Sequence, residues 1–161
     1  MQIRPERPAD AAVIHALTEA AFEGLPFSGQ TEARVIEALR AAGALAISLV
    51  AADGDEVLGH VAFSPVSAAG WFALGPVSVW PARQRSGVGQ ALIREGLQRL
   101  RAQGAGGCVL LGNPAYYRRF GFEPDPDLYA GRAPPGAFQR LTLAGPRPAA
   151  KVSFHPAFEV A

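Results

Sequence analysis

The stretch QRSGVG places Gly87 and Gly89 between a run of strand-forming residues that closes at Trp80 and a run that reads as a helix. At a strand-to-helix junction the first amides of the helix have no intrahelical acceptor, and the helix dipole favours an anion. Glycines there let phosphate oxygens approach the backbone. Gln84, Arg85, Ser86, Gly87, Val88, Gly89 and Gln90 are therefore candidates for holding a phosphate group. An ordinary tight turn is the alternative that two glycines leave open. Two other cradles fail on residue identity. A Walker loop needs Gly-Lys-Ser/Thr, whereas Gly89 is followed by Gln90 and Ala91; a dinucleotide fingerprint needs a third glycine where Leu92 stands.

Other reactive side chains are sparse. Cys108, the sole cysteine, lies in the apolar run GCVLLG with no basic residue beside it, so it reads as a buried strand thiol. His60 alternates with Leu58 and Ala62 and reads as a core histidine, while His15 and His155 have no partners at metal-ligand spacing. No metal site is expected.

These residues need elements to position them. Val13, Ile14, Leu17 and Ala21 recur at helical spacing behind Asp10, a candidate cap. Val35, Ile36 and Leu39 repeat the pattern, with Ser28 or Thr31 as cap and Gly43 placed to end the helix. ALAISLVA and EVLGHVAFS flank DGD and read as an antiparallel hairpin, followed by a third strand over residues 71–80. Behind the glycines, Leu92, Ile93, Gly96, Leu97 and Leu100 form one helical face. GGCVLLG then reads as a buried strand and NPAYYRRFGF as a short helix with Pro114 in its first turn. Further strands are expected near residues 137–143 and 151–154. This order gives an α/β (α+β) chain with a mixed sheet and helices on its faces, residues 1–161 forming a single domain.

Pro76, inside WFALGPVSVW, donates no ladder hydrogen bond, so the third strand is expected to bulge or splay beside Gly75, unless Pro76 is a simple edge-strand proline. A splayed strand leaves backbone groups free to pair with an extended amide-bearing chain.

Charge and hydropathy narrow the partners. Lys+Arg 15 against Asp+Glu 14 gives a net charge of +1, which offers no attraction to nucleic acid. No apolar stretch is long enough to span a bilayer, and the first ten residues have no signal-peptide core. A cytoplasmic protein without nucleic-acid or membrane partners is expected; a homodimer is admitted.

QRSGVG, preceded by LGPVSVWP, resembles the acetyl-coenzyme A (acetyl-CoA) loop of the GCN5-related N-acetyltransferase (GNAT) superfamily. NPAYYRRFGF is similar to the second signature of that superfamily. FSGQTEARVIEALR, LLGNPAYYRRFGF and the closing KVSFHPAF resemble its YhbS-like branch, so the resemblance covers nearly the whole chain.

The resemblance implies a mostly antiparallel twisted sheet with a splayed central strand pair. It implies acetyl-CoA as cosubstrate, with its pantetheine along Val77 and Val79 and its pyrophosphate on the amides of residues 85–89. Tyr117, four residues before Gly121, takes the family position of the acid that protonates the departing thiolate, with Tyr116 as its competitor. Asn113 matches a cofactor-touching position, although a helix cap explains it equally. Many relatives carry a carboxylate base on the strand before the loop. Residues 71–80 hold none, which leaves Glu32, with Glu23 behind it. The expected activity is acyl-CoA-dependent N-acetyl transfer to an amine of a small molecule or peptide, by direct attack in a ternary complex. A non-catalytic acyl-CoA binding or sensing module is the alternative.

Overall fold

The structure is a computed structural model that describes residues 1–160. Its elements run β1 (Gln2–Pro5), α1 (Ala11–Phe22), α2 (Glu32–Ala41), β2 (Ile47–Asp53), β3 (Glu56–Pro65), β4 (Trp71–Val79), α3 (Val88–Ala102), β5 (Gly107–Leu111), α4 (Pro114–Tyr117), β6 (Glu123–Pro124) and β7 (Phe138–Thr142). The strands form a seven-stranded sheet in the order β1-β2-β3-β4-β5-β7-β6. Every neighbouring pair is antiparallel except β4 and β5, which run parallel.

Helices cover both faces, as the apolar periodicities require. Leu92, Ile93, Leu97 and Leu100 of α3 pack with Leu49, Val61, Phe63 and Leu110 from one side of the sheet. Ile14, Leu17 and Ile36 from α1 and α2 pack with Val50 and Val57. Gly96 is bare because the ring of Phe63 occupies the place of a side chain there: a Cβ would stand 2.1 Å from Phe63 Cε1.

The central strand carries the irregularity expected from Pro76. The pairs Val61↔Val77 and Phe63↔Leu74 set Gly75 and Pro76 of β4 opposite a single β3 residue, Ala62, which makes a bulge. On its other edge β4 pairs with β5 only from Trp71↔Gly107 to Ala73↔Val109. Beyond Ala73 the two strands part, and that edge of Val77 and Val79 has no strand neighbour.

Several local expectations need correction. Residues 151–154 form no strand; Val152 makes an isolated bridge to Tyr129 instead. The N-caps of α1 and α2, Asp10 and Thr31, make no side-chain capping bond. Asp10 is drawn away by Arg4, whose Nη1 lies 2.7 Å from Oδ2, and by the Arg7 amide at 2.6 Å. Ser28 donates to the Glu32 carboxylate. Gly43 does end α2, at φ +67 with its amide on the Arg40 carbonyl. The strand β1 escapes the sequence reading because four residues with two prolines' worth of punctuation nearby carry no periodicity. It forms by pairing with the edge of β2, from Gln2↔Ala52 to Pro5↔Leu49.

Candidate active site

The turn from β4 into α3 is the pivot of the site. Gly87 is the N-cap of α3 in a left-handed conformation, φ +89, which a side chain rarely adopts, and Arg85 also has positive φ, +64. The Ala91 amide reaches back to the Gly87 carbonyl at 3.0 Å. The amides of Val88, Gly89 and Gln90 precede that bond and have no intrahelical acceptor. The Ser86 hydroxyl donates to the Arg83 carbonyl and closes the turn.

A cavity of about 550 Å³ opens beside this turn. Among its walls are Val77, Val79, Gln84, Arg85, Gly87, Gly89, Gln90, Tyr116 and Tyr117, so the splayed strand, the glycine turn and the short helix α4 face one space. Arg83 and Arg119 also line it, and no carboxylate does. Arg83 is paired with Glu56 at 2.9 Å, and the Arg119 guanidinium lies over the Tyr116 ring, 4.4 Å from its centroid. Gln84 Nε2 donates to the Val79 carbonyl at 3.1 Å and ties the turn to β4.

The remaining sequence candidates lie elsewhere. Ser86 is exposed at the turn, and Val88, 5% exposed, is packed into the core below it. Asn113 caps α4, its Oδ1 accepting the Ala115 amide at 2.9 Å.

Pro114 at the first turn starts α4, and left-handed Gly121, φ +97, ends the 3-10 turn that follows it. Tyr117 is largely buried. Gly112 makes room for its ring, since a Cβ there would stand 2.5 Å from Tyr117 Cε2. The ring also meets Tyr116 edge-on, centroids 4.9 Å apart. Burial pushes the Tyr117 phenol up to about 12, helped by Tyr116 and Cys108, so it keeps its proton throughout the neutral range. Burial raises Tyr116 as well, against the opposing pull of Arg119 and Arg94.

Glu32 lines a second cavity, of about 640 Å³, which shares Phe22 with the first. Leu74, Gly75 and Pro76 of β4 form part of its wall, so the strand passes from one cavity to the other at its bulge. Both carboxylate oxygens of Glu32 accept from Ser28 Oγ, at 2.7 and 2.8 Å. The opposite wall comes from the far end of the chain, through Tyr129, Phe154, His155, Phe158 and Glu159. The sequence reading places none of these in the site, although it takes up His155 and the closing KVSFHPAF. Phe154, Phe158 and Glu159 lie in FHPAFE, whose aromatic spacing a proline-rich closing segment disguises, and Tyr129 has no local sign.

Cys108 and His60 line neither cavity. Cys108 is fully buried, and burial pushes its thiol up, as expected for a strand thiol. His60 is fully buried beneath α1 and α2, with Nε2 2.8 Å from Ser48 Oγ. Among the described residues no group of three or more His, Cys, Asp or Glu could hold a metal ion, and no helix is long and apolar enough to cross a membrane.

Residues 44–124 match the family described as the acetyltransferase (GNAT) domain. A curated protein of Escherichia coli K12, the uncharacterized N-acetyltransferase YhbS, is 41% identical over 128 residues, covering 76% of this chain and 74% of that protein. The chain belongs to the GNAT family. It is accordingly an acyl-CoA-dependent N-acetyltransferase, the first of the two readings that the sequence offers. A GNAT acetyltransferase from Brucella melitensis, solved in complex with acetyl-CoA, superposes with a TM-score of 0.87 at 51% identity over 98% of this chain and 97% of that one. YhbS of Escherichia coli, solved in complex with CoA, superposes at 0.85 with 36% identity, over 99% of this chain and 92% of that one. The overall fold is thus shared with both.

Proposed function

We propose that acetyl-CoA occupies the first cavity and that a primary amine of a small molecule or peptide enters from the second, taking the acetyl group by direct attack in a ternary complex. The observation that carries this reading is the meeting of two cavities, with Phe22 as common wall, where β4 parts from β5. The pyrophosphate rests on the amides of residues 85–89, with Arg85 adding charge. The pantetheine amides pair with the open edge of Val77 and Val79, as an added strand would. The Brucella protein, half identical to this chain and solved with acetyl-CoA, supports the choice of ligand.

In the transfer, the uncharged amine forms an N–C bond to the thioester carbonyl. Collapse of the adduct breaks C–S, and the surplus proton on nitrogen leaves to water or to Glu32. The Tyr117 hydroxyl meets the departing sulfur. With the phenol held at about 12, above an ordinary thiol near ~8.5, Tyr117 acts chiefly as a hydrogen-bond donor to the developing thiolate; any proton it gives up is regained from solvent. No acyl-enzyme is involved, since Cys108 is buried and its thiol is pushed up.

The test is release of free thiol from acetyl-CoA across a panel of primary amines, with product mass checked. Amine-dependent release with one acetyl added to the amine, and none on the protein, is the expected result. Acetyl-CoA binding without release for any amine, or a covalently acetylated protein intermediate, contradicts the mechanism.

A further inference from the structure

The two cavities have opposite electrostatic character. Three arginines and no carboxylate line the first, whereas Glu32 and Glu159 line the second with no lysine or arginine among its wall residues. The second is also strongly aromatic. Tyr129 and Phe154 meet edge-on with centroids 5.6 Å apart, and Phe154 continues to Phe158 at 5.4 Å, so the three rings form one wall. Phe22 closes the side shared with the first cavity.

Resting on the acetyl-transfer reading above, we propose that the acceptor is a small primary amine, cationic in solution, with an aromatic or bulky apolar body and no acidic group. Ammonium ions are attracted to carboxylates and to the faces of aromatic rings, and an apolar body gains from leaving water against the same rings. A carboxylate on the acceptor would meet two glutamates and no lysine or arginine, which costs affinity; His155 is the one basic side chain among the described wall residues, and its Nδ1 is taken up by the Ala157 amide at 3.0 Å. A volume of about 640 Å³ suits a whole small molecule. Ser28 fixes the Glu32 carboxylate at the start of α2, while Glu159 comes from the closing segment, so the ammonium is drawn in between two separate elements. Glu159 is thus a specificity-determining residue for the acceptor.

The experiment compares kcat/KM for 2-phenylethylamine, phenylalanine, spermidine and a hexapeptide with a free N-terminus, at saturating acetyl-CoA. 2-Phenylethylamine is expected to exceed phenylalanine by at least about tenfold, since the two differ by one carboxylate, and to exceed the other two amines. Glu159→Gln is expected to raise its KM by about fivefold while the KM for acetyl-CoA stays within about twofold, and Glu159→Lys to shift the preference toward phenylalanine. Higher efficiency with spermidine, the peptide or phenylalanine, or an unchanged KM in Glu159→Gln, overturns this inference and leaves acetyl transfer standing. Thiol release with none of these four amines, in protein shown to bind acetyl-CoA, overturns this inference; the ternary-complex mechanism falls with it only when the whole amine panel above gives no release.

Discussion

His60 should make the folded protein lose stability as the medium becomes mildly acidic, and replacing it with leucine should remove that loss. The ring is fully buried, with Nε2 2.8 Å from Ser48 Oγ. The single proton of Ser48 is donated to Glu6, so the ring must donate through Nε2–H, and Nδ1 is left buried with no protein partner. Burial is the main cause that lowers its pKa from 6.5 to about 4; Arg40 lowers it further, and Glu6 and Asp10 oppose. The unfolded side chain therefore takes up a proton below 6.5 while the folded one stays neutral until about 4. Nothing is lost above 6.5, and the loss grows to ~3 kcal/mol by pH 4 and is constant below. From pH 7.5 to pH 5 the linkage gives about 2 kcal/mol. Glu6, Asp10 and Asp125 also destabilise the fold on acidification, but in a lower window. Their lowered pKa values stabilise the fold above the ordinary carboxylate range, and that stability is lost as pH falls through those values. Urea unfolding of the wild type and His60→Leu across pH 7.5 to 5 isolates the histidine. The readout is the slope with pH, since the variant's baseline stability will differ. An equal slope in both proteins refutes the reasoning.

Tyr117→Phe keeps the ring against Gly112 and removes only the hydroxyl, so turnover should fall by about 10²-fold with little change in Tm or in acetyl-CoA affinity. Tyr116→Phe should cost only a few-fold, because adjacent helical residues point about 100° apart and only one of the two can meet the sulfur; equal losses count against the assignment. Gly96→Ala places a methyl 2.1 Å from Phe63 Cε1 in a ring that cannot swing away, so overpacking of about 1–3 kcal/mol should exceed the ~1 kcal/mol gained in helix propensity. A Tm equal to or above the wild type speaks against that packing.

Local signals in the sequence carried the α3 face of the core, the hairpin and the glycine turn. Leu92, Ile93, Leu97 and Leu100 are buried where their spacing put them, and the bulge lies at Pro76. Nine of the candidates, from Val77 to Tyr117, line one cavity, because a strand, its following turn and a nearby short helix must converge in this order of elements. What was not legible depends on distant segments meeting. The Tyr129, Phe154 and Phe158 wall is assembled through the Tyr129↔Val152 bridge, and Glu159 has no local pattern that points at Glu32. The same holds for Asp10, whose expected capping role gives way to an ion pair with Arg4 from the strand before it.

Calorimetric titration of acetyl-CoA into the wild type and into a variant carrying Gly87→Val and Gly89→Val tests the central claim most directly. Gly87 stands at φ +89, where valine is strained, and a Cβ on Gly89 would sit 3.8 Å from Val79 Cγ2, in the space assigned to the cofactor. The account predicts saturable binding to the wild type and none to the variant, with circular dichroism showing that the variant is folded. Equal affinity in the two proteins, or no binding to the wild type, contradicts it.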